Sequence, residues 1–312
     1  MKILVSGDKG FVGSATRKAL DECKRFSPDY GTHFPMHHVI GFDAMDGMDI
    51  RDSSAVYRVI SEQKPDRILH LAAIARFADA DADPLLAHST NVIGTENIVN
   101  VASSLRIPLV YASTGSVYMP IKEKPPITES FTACGNSVYG CTKYMGELLV
   151  RQSQGPWIIL RYAHLYGHEK RMHGLIGGFL ERINRGLAPT LYGGKQSNDF
   201  TYIRDVAAAN VAALTAPWDK WRQVYNCGTG EELTAEAAGQ IVCDVFGYKG
   251  SVEVKEQRTV DPDRFVFDCS KAERMLGFKA KYDFKSGLED MKNEAGQELQ
   301  NLAPGEKRAV GM

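Results

Sequence analysis

Ile3-Leu4-Val5-Ser6-Gly7-Asp8-Lys9-Gly10-Phe11-Val12-Gly13-Ser14 decides the fold. Ile3-Leu4-Val5 is a short apolar run of the kind buried inside a parallel sheet. Glycines at 7, 10 and 13 interrupt it, and a helical stretch runs from Ser14 to about Lys24. Strand, glycine turn and helix in that order make a phosphate cradle. Glycine lets the backbone approach a pyrophosphate, and the helix N-terminus offers it free N–H groups. The spacing is Gly-x-x-Gly-x-x-Gly, not the commoner Gly-x-Gly-x-x-Gly. A tight turn without a ligand needs similar residues, but the strand before and the helix after favour a dinucleotide.

The next strand tests that reading. Arg25 to His37 is a polar surface insertion with two prolines and a glycine. His33, His37 and His38 lie near it without a carboxylate or cysteine to complete a ligand set, so they predict loop histidines and no metal. His38 to Asp43 is the second strand, closed by an acid. Asp43 follows the glycine turn at a longer interval than the usual ~20 residues, because of the insertion. An acid there accepts hydrogen bonds from the adenosine ribose and repels a 2′-phosphate. No Arg or Lys stands between Asp43 and Asp49, so NAD is expected over NADP. A plain strand-end turn aspartate is the alternative.

Strand and helix keep alternating. Ser53 to Lys64 reads as a helix and Arg67 to Leu71 as a strand ending in His70-Leu71-Ala72-Ala73. A helix from about Pro84 to Leu105 carries Asn91. Pro108 to Ala112 is a strand that runs into Ser113-Thr114-Gly115-Ser116, and hydroxyls at that end of a central strand lie where open α/β sheets bind ligands. A helix after Asn136 and a strand from Ile158 to Tyr162 follow. The alternation predicts an α/β fold, a doubly wound, mostly parallel Rossmann-type sheet. The last third, with helical stretches near Leu175–Arg185, Asp205–Thr215, Ala235–Phe246 and Lys285–Leu299, predicts a smaller mixed α/β C-terminal substrate lobe. Residues 1–166 and about 200–228 form the expected NAD-binding domain, and about 167–199 and 229–312 the substrate lobe.

Tyr139-Gly140-Cys141-Thr142-Lys143 carries the chemistry. On a helix, Tyr139 and Lys143 share one face. A neighbouring ammonium favours the phenolate, and a tyrosine of lowered pKa can exchange a proton with an alcohol. Alone, the spacing commonly marks only a solvated helix face.

Composition narrows the rest. A formal net charge of −1 over 312 residues gives no field for nucleic acid or an anionic membrane. Six scattered cysteines without a Cys-x-x-Cys pair read as reduced thiols of a cytoplasmic protein. The first residues reach Gly7 before a signal-peptide apolar region forms, and no apolar run spans a bilayer.

Taken together, the ordered motifs resemble the extended short-chain dehydrogenase/reductase superfamily, in its NAD-dependent nucleotide-sugar epimerase/dehydratase branch. They run from Gly7-x-x-Gly10-Phe11-Val12-Gly13 through Asp43, Asp49-Ile50, His70-Leu71-Ala72-Ala73, Asn91, Ser113-Thr114 and Tyr139-x-x-x-Lys143 to Arg161–Gly167. Later come Tyr192-Gly193-Gly194-Lys195-Gln196, Asp199-Phe200-Thr201-Tyr202-Ile203-x-Asp205, Tyr225-Asn226-Cys227-Gly228 and Ser270-Lys271-Ala272. The resemblance implies that Tyr139 deprotonates a sugar hydroxyl, that Thr114 hydrogen-bonds the same oxygen, and that Lys143 holds the nicotinamide ribose and lowers the Tyr139 pKa. It implies NAD contacts from Gly7, Gly10, Phe11, Val12, Gly13, Asp43, Asp49, Ile50, Leu71, Ala72, Ala73, Asn91, Ser113, Tyr139, Lys143 and Tyr162. Substrate contacts are implied for Thr114, Ser116, His164, Asn198 and Arg258.

Branches differ in the fate of a 4-keto intermediate. Dehydratases in the family place Asp-Glu after the threonine, and decarboxylating relatives keep a Glu. Gly115 and Ser116 stand there instead, and neither can perform those proton transfers. Relatives that epimerise beside the ketone use a cysteine where Ser116 stands. A nucleotide-sugar 4-epimerase is therefore the expectation, with another NAD-dependent sugar-modifying enzyme of the family (a dehydrogenase, reductase or dehydratase) and a silent NAD-binding protein as alternatives. Asn198 replaces a family arginine and His164 a family asparagine. This leaves Arg258, with a protonated His164, as the expected diphosphate contacts. The resemblance also implies a homodimer built on the Asn91 and Tyr139 helices, with Leu85, Leu86, Val92, Ile98, Val99, Leu148, Leu149 and Val150 supplying apolar faces.

Overall fold

The computed structural model describes residues 1–23, 37–168, 174–257 and 262–301. His33, most of the insertion and Arg258 lie outside them. Six strands form one sheet: β1 (Lys2–Ser6), β2 (His38–Phe42), β3 (Arg67–His70), β4 (Leu109–Thr114), β5 (Trp157–Tyr162) and, far along the chain, Gln223–Cys227. The latter is β10, because four short strands precede it: β6 (His164–Tyr166), β7 (Thr190–Tyr192), β8 (Ser197–Asn198) and β9 (Phe200–Tyr202). The sheet order is β10-β5-β4-β3-β1-β2, and every pair is parallel. β1 sits inside, with β2 to one side and β3 to the other. The chain thus reverses direction across the sheet after β2, as in a doubly wound fold.

Helices cover both faces. They are α1 (Phe11–Cys23), α2 (Ser53–Gln63), α3 (Phe77–Ala82), α4 (Pro84–His88), α5 (Thr95–Ser104), α6 (Val138–Arg151), α7 (Gly174–Asn184), α8 (Ile203–Thr215), α9 (Ala235–Phe246), α10 (Ser270–Leu276) and α11 (Phe284–Asn301). Alternate residues of one strand serve opposite layers, because side chains in a strand alternate sides. Leu4, Ile68, Leu109 and Ile159 pack with Val56 and Ile60 of α2 and Ile98 and Val99 of α5. Ile3, Val5, Leu69, Val110 and Ile158 pack the other way, with Leu20 of α1 and Val206, Ala209 and Ala213 of α8. That second layer continues without a break into α7, α9 and α11 of the C-terminal region. Burial on both faces is why β1, β4 and β5 read as continuous apolar runs.

Three further short strands, β11 (Leu233–Thr234), β12 (Glu253–Lys255) and β13 (Arg264–Phe265), pair with β8, β7 and β8 respectively. A small aromatic core of Val117, Tyr118, Ile127, Phe265 and Phe267 joins β13 to the turn that follows β4.

Two elements differ from the sequence reading. The first helix begins at Phe11, not Ser14, because the Ser14 N–H bonds the Gly10 carbonyl at 2.9 Å and draws Phe11 to Gly13 into the first turn. The expected helix from Pro84 to Leu105 is α4 and α5 joined by a wide π turn, Ser89–Gly94. Such turns often mark functional segments, and this one carries Asn91. No helix among the described residues is long and apolar enough to cross a membrane.

Candidate active site and cofactor cradle

The glycine turn is built by close approach. Gly7 has φ of +73°, and a Cβ on it would lie 2.7 Å from the Ala72 nitrogen. A Cβ on Gly13 would collide with the Gly7 carbonyl and Asp8. The turn therefore packs against Leu71-Ala72-Ala73 after β3, while Gly10, Phe11 and Val12 at the mouth of α1 stay accessible. The start of this 13-residue helix, with an exposed glycine and free N–H groups, suits a pyrophosphate. Asp43 closes β2 beside it. One of its carboxylate oxygens accepts from the Lys9 N–H at 3.1 Å and the other from the Met45 N–H at 2.9 Å. Asp43 is thus a turn aspartate and also an acid facing the cradle; the two roles coexist.

Other residues in the expected cofactor set carry structural duties. The two side-chain N–H groups of Asn91 go to the Ile74 carbonyl and to Thr142 Oγ1, both at 3.0 Å, and its oxygen accepts from the Ile74 N–H at 2.8 Å. It clamps the loop after β3 to α6. Ser113 donates to Glu147 at 2.6 Å, and the Tyr162 hydroxyl donates to Asn210 at 2.5 Å. Asp49 is held by both Nε and Nη2 of Arg51. Ile50 is buried under Gly94 of the π turn.

At the carboxyl end of β4, Thr114 closes the strand and accepts from the Ser116 N–H at 3.2 Å. α6 begins opposite it, capped by Ser137, which accepts from the Gly140 N–H at 3.1 Å. Two glycines let α6 lie hard against the sheet. A Cβ on Gly140 would be 2.8 Å from the Ser116 carbonyl, and one on Gly146 would collide with the Tyr111 hydroxyl. This approach brings the Tyr139 phenol toward Thr114, whose hydroxyl favours its ionised form. Phe77 of α3 packs edge-on against the Tyr139 ring, with centroids 5.3 Å apart.

The electrostatics correct one expectation. Burial pushes the Tyr139 phenol up to about 12, and the Thr114 hydroxyl offsets only part of that. The net shift is upward although Lys143 stands one turn along α6. The Lys143 ammonium lies 4.2 Å from the centroid of the Tyr111 ring. Burial brings Lys143 itself down to about 7, against the pull of Glu147 one turn further along α6. Loss of hydration outweighs the i,i+4 spacing in both side chains.

Sequence reading missed Glu147. It is fully buried and accepts from Arg161 Nε at 2.8 Å and Nη2 at 2.6 Å as well as from Ser113. The signal was the repeat of the same four-residue step, Tyr139, Lys143, Glu147. Phe77 and the Phe265–Phe267 pair carried no comparable pattern.

On the substrate side, a Cβ on Gly115 would collide with Phe265 Cζ and lie 2.9 Å from Phe267 Cζ. His164 opens onto the cleft but is walled by protein, stacking edge-on with Phe265 at 5.1 Å. The protein packed on its inner side lowers its pKa, while its outer side stays exposed. The direction disfavours the protonated phosphate ligand expected from the sequence. Asn198 is half-buried in β8, in register with Phe265 of β13. Ser116 lies in the short turn Gly115–Tyr118.

Comparison with known proteins follows the same lines. The model of the NAD dependent epimerase/dehydratase family matches residues 3–228. A putative UDP-glucose 4-epimerase of Methanocaldococcus jannaschii is 29% identical over 309 residues, covering 93% of this chain and 97% of that protein. The crystal structure of a UDP-glucose 4-epimerase from Thermotoga maritima with UDP-glucose superposes with a TM-score of 0.82 at 26% identity, over 96% of this chain and 100% of that one. A Thermus thermophilus UDP-glucose 4-epimerase in complex with NAD gives 0.77 at 27% identity, over 94% and 98%.

Proposed function

Because the chain belongs to the NAD-dependent epimerase/dehydratase family, we propose that it inverts the C4 hydroxyl of a nucleotide sugar, with a uridine diphosphate sugar as the first candidate. The nucleotide follows the relatives, which are UDP-glucose 4-epimerases. The observation that carries the choice of reaction is the environment of Gly115. Phe265 and Phe267 fill the space that a side chain there needs. A carboxylate cannot stand next to Thr114 to eliminate water, and the intermediate is left to return by reduction.

Gly7 to Gly13 would hold the pyrophosphate of NAD, and Asp43 the adenosine ribose. NAD held there would supply the hydride acceptor and donor for C4. This chain's residues handle the proton. Tyr139 Oη accepts the C4 hydroxyl proton and returns it, while Thr114 Oγ1 hydrogen-bonds the same oxygen. Lys143 supplies a charge beside them, one helical turn along. Burial pushes the Tyr139 phenol up to about 12 with its present neighbours, and a cation held beside it would favour the phenolate.

The test uses a nucleotide sugar deuterated at C4. A 4-epimerase yields the C4-inverted product with the label retained and no solvent hydrogen at C3 or C5, as read by NMR. Loss of label, or accumulation of a keto sugar, overturns the proposal.

We also propose a homodimer. Ile98, Val99 and Val150 are core residues of the subunit and do not contribute to an outer face. Leu85, Ile93, Met145 and Leu148 are exposed on the π-turn and α6 side, an apolar face that a second copy would cover. The cysteines other than Cys23 are free thiols, which supports residence in the reducing cytoplasm.

A further inference from the structure

Between Asp43 and Asp49 the sequence holds no cation, but the fold delivers two from elsewhere. Lys9, inside the glycine turn, gives its backbone N–H to Asp43 and its ammonium to Asp46, in the single helical turn Ala44–Asp46. Arg17 of α1 is paired with Asp8. Asp8 is buried against β2, where a Cβ on Gly41 would lie 2.5 Å from its Oδ2. Lys9 therefore sits among three carboxylates, with Asp46 contributing most to holding its charge and Asp8 and Asp43 adding to it.

The acid that closes the second strand marks where the 2′ position of the adenosine ribose lies. A lysine at that point is a ready partner for a 2′-phosphate, which binds lysine as a point charge. The Lys9 and Asp46 side chains are 40% and 39% exposed. Nothing buries the ammonium, so only its carboxylate partner keeps it from turning toward a phosphate. We propose that Asp46 sequesters Lys9, so that rejection of NADP depends on the Lys9–Asp46 pair as well as on Asp43. Arg17 is not available in the same way, because the buried Asp8 it pairs with has no water to replace it.

The wild-type chain, Asp46→Asn and Asp46→Asn/Lys9→Met are dialysed to equilibrium against equimolar NAD and NADP, and the bound nucleotides are separated and quantified. Asp46→Asn is expected to move the NADP:NAD ratio at least about tenfold toward NADP, a gain that shrinks with added salt. The double variant is expected to return to the wild-type ratio. An Asp46→Asn ratio within about twofold of wild type overturns the proposal, as does a gain that survives removal of Lys9.

Discussion

Glu147 and Arg161 form a two-pronged ion pair, at 2.8 and 2.6 Å, with both side chains sealed from solvent. Ser113 of β4 adds a third hydrogen bond to the same carboxylate, and Arg161 stacks over the Tyr118 ring at 4.6 Å. One carboxylate thus ties α6, β4 and β5 together directly behind Thr114 and Lys143. Removing one partner of a buried pair strands the other charge, which costs ~3–5 kcal/mol. Glu147→Ala is expected to lose stability on that scale in urea unfolding. Glu147→Ala/Arg161→Met is expected to recover part of it, since no buried charge remains unpaired and Arg151, which also reaches Glu147, is partly exposed. A Glu147→Ala chain as stable as wild type would show that the pair is dispensable.

Lys143 gives a pH signature. Burial brings its folded pKa to about 7 from 10.5. Between those values the unfolded chain binds the proton and the folded chain does not, so stability rises with pH across that window. Below about 7 both forms are protonated, and the full penalty of the buried ammonium is present. Lys143→Met is therefore expected to be more stable than wild type at neutral pH, without added nucleotide, and to lack the rise toward alkaline pH. Parallel unfolding curves for the two proteins at all pH values would contradict this.

Tyr139→Phe removes the transferable proton and keeps the ring on Phe77. Turnover is expected to fall by at least about a hundredfold, the low end for general acid–base catalysis, while NAD binding persists. Near-normal turnover would remove Tyr139 from the mechanism.

Much of this arrangement was legible in the residues. Continuous apolar runs gave the buried strands, and Gly7 to Gly13 gave the turn, because both depend on local backbone and burial rules. The charge states of Tyr139 and His164 were not legible. Both depend on how much protein surrounds a side chain, which spacing along the chain does not encode. Lys9 escaped for a related reason: it reaches Asp46 across 37 residues of sequence. The exclusion at Gly115 likewise comes from Phe265 and Phe267, which arrive from the far end of the chain.

Gly115→Ala tests that exclusion. Its methyl would collide with Phe265, and overpacking of this kind costs about 1–3 kcal/mol. Gly115→Ala/Phe265→Leu is expected to recover most of the loss in thermal unfolding. A fully stable Gly115→Ala single variant would mean that the ring yields freely, and that a side chain at 115 is tolerated.

Leu85 is 83% exposed and Leu148 46%. A charge introduced at the centre of an apolar interface is left desolvated and unpaired. Light scattering of the wild-type chain at micromolar concentration is expected to give a dimer mass, and Leu85→Glu/Leu148→Glu a monomer that keeps its fold. A wild-type monomer would contradict the dimer.

Asn198 decides how the diphosphate is held. The protein around His164 lowers its pKa, which disfavours a charge there. Arg264, the cation next to it in sheet register, is committed to Glu232 through Nε at 2.7 Å and Nη2 at 2.6 Å. Asn198 itself brings no charge, and an amide cannot make the two-pronged contact of a guanidinium with phosphate. Asn198→Arg places that guanidinium on β8 beside Phe265. It is expected to tighten binding of a nucleoside diphosphate at least about tenfold, with the Michaelis constant falling more than turnover changes, as for an added uniform binding contact. Calorimetry of wild type and variant with UDP, GDP, CDP and dTDP reads this directly. Equal affinities for all four, in both proteins, would place the diphosphate away from Asn198.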